Sequence, residues 1–348
     1  MRKTGYLLLR LWIRIALWCY FSKISRSGLA HIPKDKPLLF LANHQNALLD
    51  ALLIAVRGPR KIYFLTRSDV FNNPLLKRFF EFLQMIPIYR MRDGIGSLQQ
   101  NKTIFEYCSR LLQRGEAILI FPEGNHSLKR KVRPLSKGFT RFLFAALEKN
   151  PQLDIRLLPL GFNYDNAVNF PDKVSVWYGK DLRVLDYYDK EKEATSVSRM
   201  KTAVFQELTT LTTHIADDEM HDGLVRHFKR GGLDFLDPVA INRAVMEMPK
   251  APQEGVMVLE SPSKRGIGEW AFNILNFPIT LIWAFAIRPK IKELEFVSTV
   301  RFMWFLLLFP LYYLMLAVLL IYYLGISGAT IIVAGHFLFN IGLVKLRS

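Results

Sequence analysis

Residues 302–324 form an uninterrupted apolar stretch, long enough to cross a hydrocarbon core as one helix. This constrains the chain more than any other feature, because the rest must fold at the face of a bilayer. A second stretch, 325–344, holds His336 and Asn340 as its only strongly polar members. An earlier segment, 270–287, is interrupted by Asn273, Asn276 and Pro278. Loop charge arbitrates between two spans and three. The connector 288–301 carries Arg288, Lys290, Lys292 and Arg301, the tail carries Lys345 and Arg347, and the Gly325–Gly328 link carries no charge. The positive-inside rule puts both basic segments on one side. The expectation is a transmembrane hairpin of two spans, 302–324 and 325–344, with 270–287 lying in the interface or re-entering.

The N-terminus reads as membrane-active in another way. Residues 6–21 are apolar except for Arg10 and Arg14, which sit four apart on one helical face, so an in-plane interfacial helix is expected. The two arginines interrupt what would be a signal peptide's apolar region, and no small-residue cleavage site follows. A net charge of +17 calls for an anionic partner, and 51% hydrophobic residues with 26 Phe point to an anionic membrane rather than nucleic acid. Cys19 and Cys108 fit neither a metal-ligand spacing nor a disulfide framework, which suits a reduced, cytoplasm-facing domain at the cell (inner) membrane.

Between these ends, short apolar runs alternate with helical patterns. Strands are expected at 37–42, 61–65, 85–89, 117–121, 155–161 and 173–178, and helices at 47–56, 74–83, 96–113 and 137–149, closed by an amphipathic helix over 190–216. The fold expected is an α/β domain with a mixed sheet flanked by helices. The chain then divides into an interfacial helix (1–29), a catalytic domain (30–216), a polar connector (217–265) and a membrane region (266–348).

Two strand ends carry chemistry. After Pro37–Ala42 comes Asn43-His44-Gln45-Asn46-Ala47-Leu48-Leu49-Asp50. A histidine titrating near neutrality can take a proton from an alcohol as it attacks a carbonyl, and Asp50 would orient its ring. On a regular helix, residues six apart are about 120° out of phase. His44 must therefore lie in the turn before a helix that carries Asp50, with Asn43 or Asn46 capping that helix. The second strand end is Phe121-Pro122-Glu123-Gly124-Asn125-His126-Ser127, followed by Lys129, Arg130, Lys131, Arg133, Lys137 and Arg141. Gly124 would let a ligand approach the backbone, and the basic run could hold a phosphate or a phosphopantetheine-linked donor. Glu123 could bond a substrate hydroxyl or brace a basic neighbour. Arg90, at the end of another strand, suits bidentate phosphate binding. His214, His221 and His227 lack the spacing and partners of a zinc site, and no metal is expected.

Taken in order, these residues resemble the glycerolipid acyltransferase family, which includes 1-acylglycerol-3-phosphate and glycerol-3-phosphate acyltransferases. Asn43-His44 through Asp50 resembles its catalytic block, Ile88-Tyr89-Arg90 its phosphate-contacting block, Phe121–Ser127 its third and Leu158-Pro159-Leu160-Gly161 its fourth. Lys137-Gly138 resembles a basic residue and glycine that commonly follow the third block. The resemblance covers roughly 30–190. It implies His44 and Asp50 as catalytic residues, and Arg90, Glu123, Gly124, Ser127 and Lys137 as substrate-binding residues. It also implies acyl-CoA or acyl carrier protein as donor, a lysophospholipid acceptor, and no cofactor or metal. Two departures stand out. Five residues separate His44 from Asp50 where four are common, and Asn125-His126 replaces the usual Thr-Arg. The first keeps glycerol 3-phosphate and lyso-aminolipids open as acceptors. A metal-dependent phosphohydrolase and a non-catalytic lipid-binding protein are the rivals from other classes.

Overall fold

The computed structural model describes residues 2–56, 60–71, 74–89, 96–248 and 267–346. Arg90, Arg92, Arg347 and the latter part of the expected connector lie outside the described residues.

The chain opens with α1 (Arg2–Tyr20) and strand β1 (Lys23–Ser27). Then follow β2 (Leu38–Ala42), α2 (Ala47–Ala55), β3 (Ile62–Arg67), α3 (Pro74–Phe82), β4 (Met85–Ile88), α4 (Gly96–Gln113), β5 (Ala117–Ile120) and α5 (Gly138–Lys149). Next come β6 (Arg156–Tyr164), β7 (Lys173–Tyr178), β8 (Leu182–Arg183) and α6 (Glu193–Leu211). The strands form one mixed sheet in the order β1-β7-β6-β2-β5-β3-β4, with β8 also pairing with β6. Strands β6, β2, β5, β3 and β4 run parallel, while β7 is antiparallel to β6 and parallel to β1. The six expected strands and five expected helices are all present within a few residues. β1 was not expected, because Lys-Ile-Ser-Arg-Ser has no apolar alternation to reveal a strand at a sheet edge.

Both faces of the sheet are covered, which is why its strands read as continuous apolar runs. Leu38, Phe40 and Ala42 pack with α1, α2 and Phe302 on one face. Leu39 and Leu41 pack with α4, α5 and α6 on the other. Gly161 in β6 lets the end of α6 press onto the strand: a Cβ there would lie 2.1 Å from the Leu211 carbonyl oxygen.

Part of the expected connector is structured. It contains α7 (His221–Arg230) and α8 (Pro238–Glu247), which share a small core of Ile215, Phe228, Phe235 and Ile241. Asp237 caps α8 by accepting from the Val239 and Ala240 amides, with Pro238 at the first helical position. Beyond it come α9 (Ile267–Leu275), α10 (Phe277–Ile282) and α11 (Val297–Leu346). The helical segments on either side of Asn276 bend by 97°. Residues Leu294–Leu346 are long and apolar enough to cross a membrane, and an 18-residue window within them has mean hydropathy 2.4 and is 6% buried. Gly325 interrupts α11 with φ 72 and ψ 174. In a straight helix Tyr313 and Asn340 would lie about 40 Å apart, yet Asn340 Nδ2 donates to the Tyr313 hydroxyl at 3.0 Å.

Candidate active site

Parallel strands β2, β5, β3, β4 and β6 all end at one edge of the sheet, where α/β folds place their ligand crevices. At the end of β2 the chain turns sharply into α2. Ala47 takes φ 30 in the left-handed region, a strain of about 1–3 kcal/mol that the surroundings must hold. The Asp50 carboxylate holds it. Oδ2 accepts from the Gln45 and Asn46 amides at 3.0 and 2.8 Å and pairs with His44 Nδ1 at 2.8 Å. Oδ1 accepts from the Tyr164 hydroxyl at 2.5 Å. Asp50 has 0% exposure, so every one of these bonds is shielded from water. With Nδ1 bonded to a carboxylate, the ring keeps its Nε2 for a substrate.

The capping expectation is corrected here. Asn46 stands at the N-cap of α2 but makes no side-chain cap bond. The Asn43 side chain instead exchanges two hydrogen bonds with the Phe162 backbone of β6, at 3.0 and 2.7 Å. The Asp50 carboxylate instead braces the turn from inside the helix, accepting from the Gln45 and Asn46 amides that precede it.

Phe121, at the end of β5, stacks on the His44 ring with centroids 3.7 Å apart. Phe121–Gly124 is a tight turn closed by the Gly124 amide to the Phe121 carbonyl at 3.1 Å, and Gly124 has φ 73. Here the glycine answers to backbone conformation. Ser127 donates its amide to the His44 carbonyl at 3.0 Å, stitching the second strand end to the first. Of the two roles open to Glu123, the structure shows the brace. Its carboxylate, 3% exposed, pairs with Arg133 at 2.6 Å. Burial pushes the Glu123 carboxyl up, and the Arg133 guanidinium pulls it back down.

Most of the basic run is committed to protein partners. Lys129 and Lys131 both pair with Asp218. Arg130 is buried, donates to the Tyr164 and Asp165 carbonyls at 2.8 and 2.7 Å, and stacks over Phe235. Lys137 is exposed, just ahead of α5. His214 and His221 accept from the Val132 and Arg130 amides at 3.0 and 2.9 Å, so the segment after α6 and the start of α7 tether the loop that carries the basic run. Strand β4, which leads to Arg90, lies three strands from β2, about 14 Å across the sheet.

Several residues emerge only in three dimensions. Tyr164 had no sequence signal. His126 meets His44 edge-on at 5.2 Å and packs against Phe296 at 4.6 Å, with 8% exposure. Its Nε2 is buried without a hydrogen-bond partner among the described residues. Burial, then the neighbouring His44 and Arg67, push His126 down to about 4, so it is neutral at physiological pH. Arg67 ends β3 one strand nearer to β2 than β4 is, and the strand-end rule that picked out Arg90 applied to it equally.

Residues 23–163 match the acyltransferase family model. The chain is 26% identical over 163 residues to the chloroplastic 1-acyl-sn-glycerol-3-phosphate acyltransferase BAT2 of Brassica napus, covering 46% of this chain and 44% of that one. A 1-acyl-sn-glycerol-3-phosphate acyltransferase of Chlamydomonas reinhardtii is 32% identical over 121 residues, covering 34% of each chain. The solved 1-acyl-sn-glycerophosphate acyltransferase PlsC of Thermotoga maritima aligns over 60% of this chain and 81% of its own, at 20% identity and a TM-score of 0.39. Over residues 23–163 this chain is thus similar to acyltransferases. It spans less than half the length of these curated relatives.

Proposed function

We propose that this protein is a membrane-bound O-acyltransferase that moves a fatty acyl group from acyl-CoA or acyl carrier protein to the free hydroxyl of 1-acylglycerol 3-phosphate, giving phosphatidic acid. The observation that carries the reading is the pair His44 Nδ1–Asp50 Oδ2 at 2.8 Å, fixed by a carboxylate with no solvent exposure. His44 Nε2 takes the hydroxyl proton as the oxygen attacks the thioester carbonyl. The tetrahedral adduct collapses, the carbon–sulfur bond breaks, and the imidazolium returns the proton to the departing thiolate. Asp50 holds the tautomer and stabilises the imidazolium. Arg90, and Arg67 if it releases Asp69, are the cations for the acceptor phosphate; Glu123, Gly124, Ser127 and Lys137 are the other substrate-side residues.

The names of the relatives support the lysophosphatidic acid acceptor. The five-residue spacing between His44 and Asp50 favours glycerol 3-phosphate as a second reading. In this reading α1 lies in the interface, the two limbs of α11 form the transmembrane hairpin, and the bent 270–287 segment re-enters. The catalytic domain, 30–216, faces the cytoplasm at the inner membrane. Residues 1–29, 217–265 and 266–348 are its interfacial helix, polar connector and membrane region.

Thiol release from acyl-CoA and from acyl carrier protein, with a panel of acceptors and EDTA present, tests this. Release should require an acceptor and fall about 10²–10⁴-fold in His44→Ala. Undiminished release in that variant would sink the mechanism. Release with glycerol 3-phosphate alone would reassign the acceptor. No thiol release, with phosphate release that EDTA abolishes, would favour a metal-dependent phosphohydrolase, and neither activity a non-catalytic lipid-binding role.

A further inference from the structure

Helix α1 and the two limbs of α11, with Phe170 and Phe272, line a half-open cavity of 310 Å³, within the ~300–1,000 Å³ of ligand pockets. Ala16 lines it from α1, Leu306 from the first limb and Ile341 from the second. Three polar side chains on its wall turn to protein partners. The Tyr20 hydroxyl donates to the Ser298 carbonyl at 3.3 Å. Asn340 exchanges amide hydrogen bonds with Asn276 at 2.9 and 3.0 Å, and the Tyr313 hydroxyl, which accepts from Asn340, pairs with His336 Nδ1 at 3.2 Å. The lumen therefore presents carbon to an occupant, and an apolar cavity without polar partners does not retain water. Hydrocarbon is the chemistry that fits it.

The cavity also adjoins the catalytic turn. Ser298 Oγ and Asn46 Nδ2 donate to the same carbonyl, that of Ala167, at 2.6 and 3.2 Å, and Thr299 Oγ1 reaches the Asn46 carbonyl at 3.5 Å. Phe302, one helical turn further along α11, is buried against Tyr20 and lines the cavity. A chain lying in the lumen thus ends within about a turn of the backbone behind His44 and Asp50. The acyl donor carries its chain on a large water-soluble carrier, whereas a lysolipid acceptor is held in the bilayer by its chain, next to the apolar helix that lines this cavity.

We propose that the α1–α11 cavity binds the acyl chain of the lysolipid acceptor and presents its glycerol hydroxyl to His44. This rests on the acyl-transfer reading and extends it to residues outside the sheet domain. The test fills the lumen with Ala16→Trp and, separately, Leu306→Trp in the full-length protein, each assayed with long-chain and short-chain 1-acylglycerol 3-phosphate in mixed micelles. The ratio of kcat/KM for the long over the short acceptor should fall about tenfold, a 1.4 kcal/mol difference. An equal loss on both acceptors, or no loss, overturns the assignment. A readout independent of turnover is the lipid retained by purified His44→Ala, measured by native mass spectrometry after incubation with lysophosphatidic acid and with two-chain phosphatidic acid. Lysolipid should be retained, and should be lost when Ala16→Trp is added. Equal retention of the two lipids, or retention untouched by Ala16→Trp, overturns the site. Absence of thiol release by the wild type with every acceptor overturns the acyl-transfer reading itself, and the acceptor assignment with it.

Discussion

The Tyr164 hydroxyl donates to Asp50 Oδ1 at 2.5 Å, across a sequence separation of 114 residues. Asp50 Oδ2 is already filled by His44 and two amides, so Tyr164 satisfies the oxygen that faces the sheet. The orientation of the base thus depends on β6 as well as on its own turn.

Tyr164→Phe removes that donor and leaves a buried carboxylate oxygen unsatisfied, at a cost of about 1–3 kcal/mol. Thermal unfolding in detergent should show the loss, and kcat should fall with KM nearly unchanged, because Tyr164 is buried, at 1% exposure. Wild-type stability and kcat would show that Asp50 needs no second anchor.

Glu123→Gln breaks the pair with Arg133 and should loosen the turn beside His44. The loss should stay below the ~3–5 kcal/mol of breaking a fully buried pair, since Arg133 keeps 26% exposure and can rehydrate. A double-mutant cycle with Arg133→Gln measures the coupling. A coupling energy of zero would make the contact incidental.

Gly161→Ala places a Cβ 2.1 Å from a backbone oxygen of α6, which no rotamer change relieves. Overpacking of this kind costs about 1–3 kcal/mol, read as a lowered unfolding temperature. An unchanged unfolding temperature would mean that α6 docks less tightly on β6 than the geometry requires.

Asp172 gives a pH signature. Its Oδ1 accepts from the Asn166 amide at 2.8 Å, but burial pushes its carboxyl from 3.8 up to about 8. Between those values the folded state holds a proton that the unfolded state has released. The stability Asp172 contributes is therefore full below 3.8 and is lost as pH rises through 8. Asp172→Asn cannot ionise, so its stability relative to wild type should increase steadily across that window. Unfolding temperatures measured at a series of pH values check this; a pH-independent difference would show that Asp172 does not titrate there.

Much of the site was legible because it is local. His44 and Asp50 lie six apart, so an apolar strand followed by a turn and a helix was enough to bring them together. Glu123, Gly124 and Ser127 follow another buried strand, and parallel strands end side by side. The basic run misled for the converse reason. Charge density is visible in a sequence, but whether a charge is free depends on partners such as Asp218, Glu123 and the Tyr164 carbonyl, which come from elsewhere in the chain.

What the sequence by itself determined is whatever follows from periodicity and from neighbours along the chain. That includes the covered sheet, the catalytic turn and the apolar C-terminal helix, since burial pattern and turn chemistry act over a few residues. Tertiary structure decided what depends on contact between distant segments. It placed Tyr164 under Asp50, turned His126 into a neutral neighbour of His44, and assigned His214 and His221 to the loop amides. It also set α1 beside α11 to form a half-open, hydrocarbon-lined cavity next to the His44–Asp50 turn. These contacts arise from packing complementarity across the chain, which no local pattern encodes.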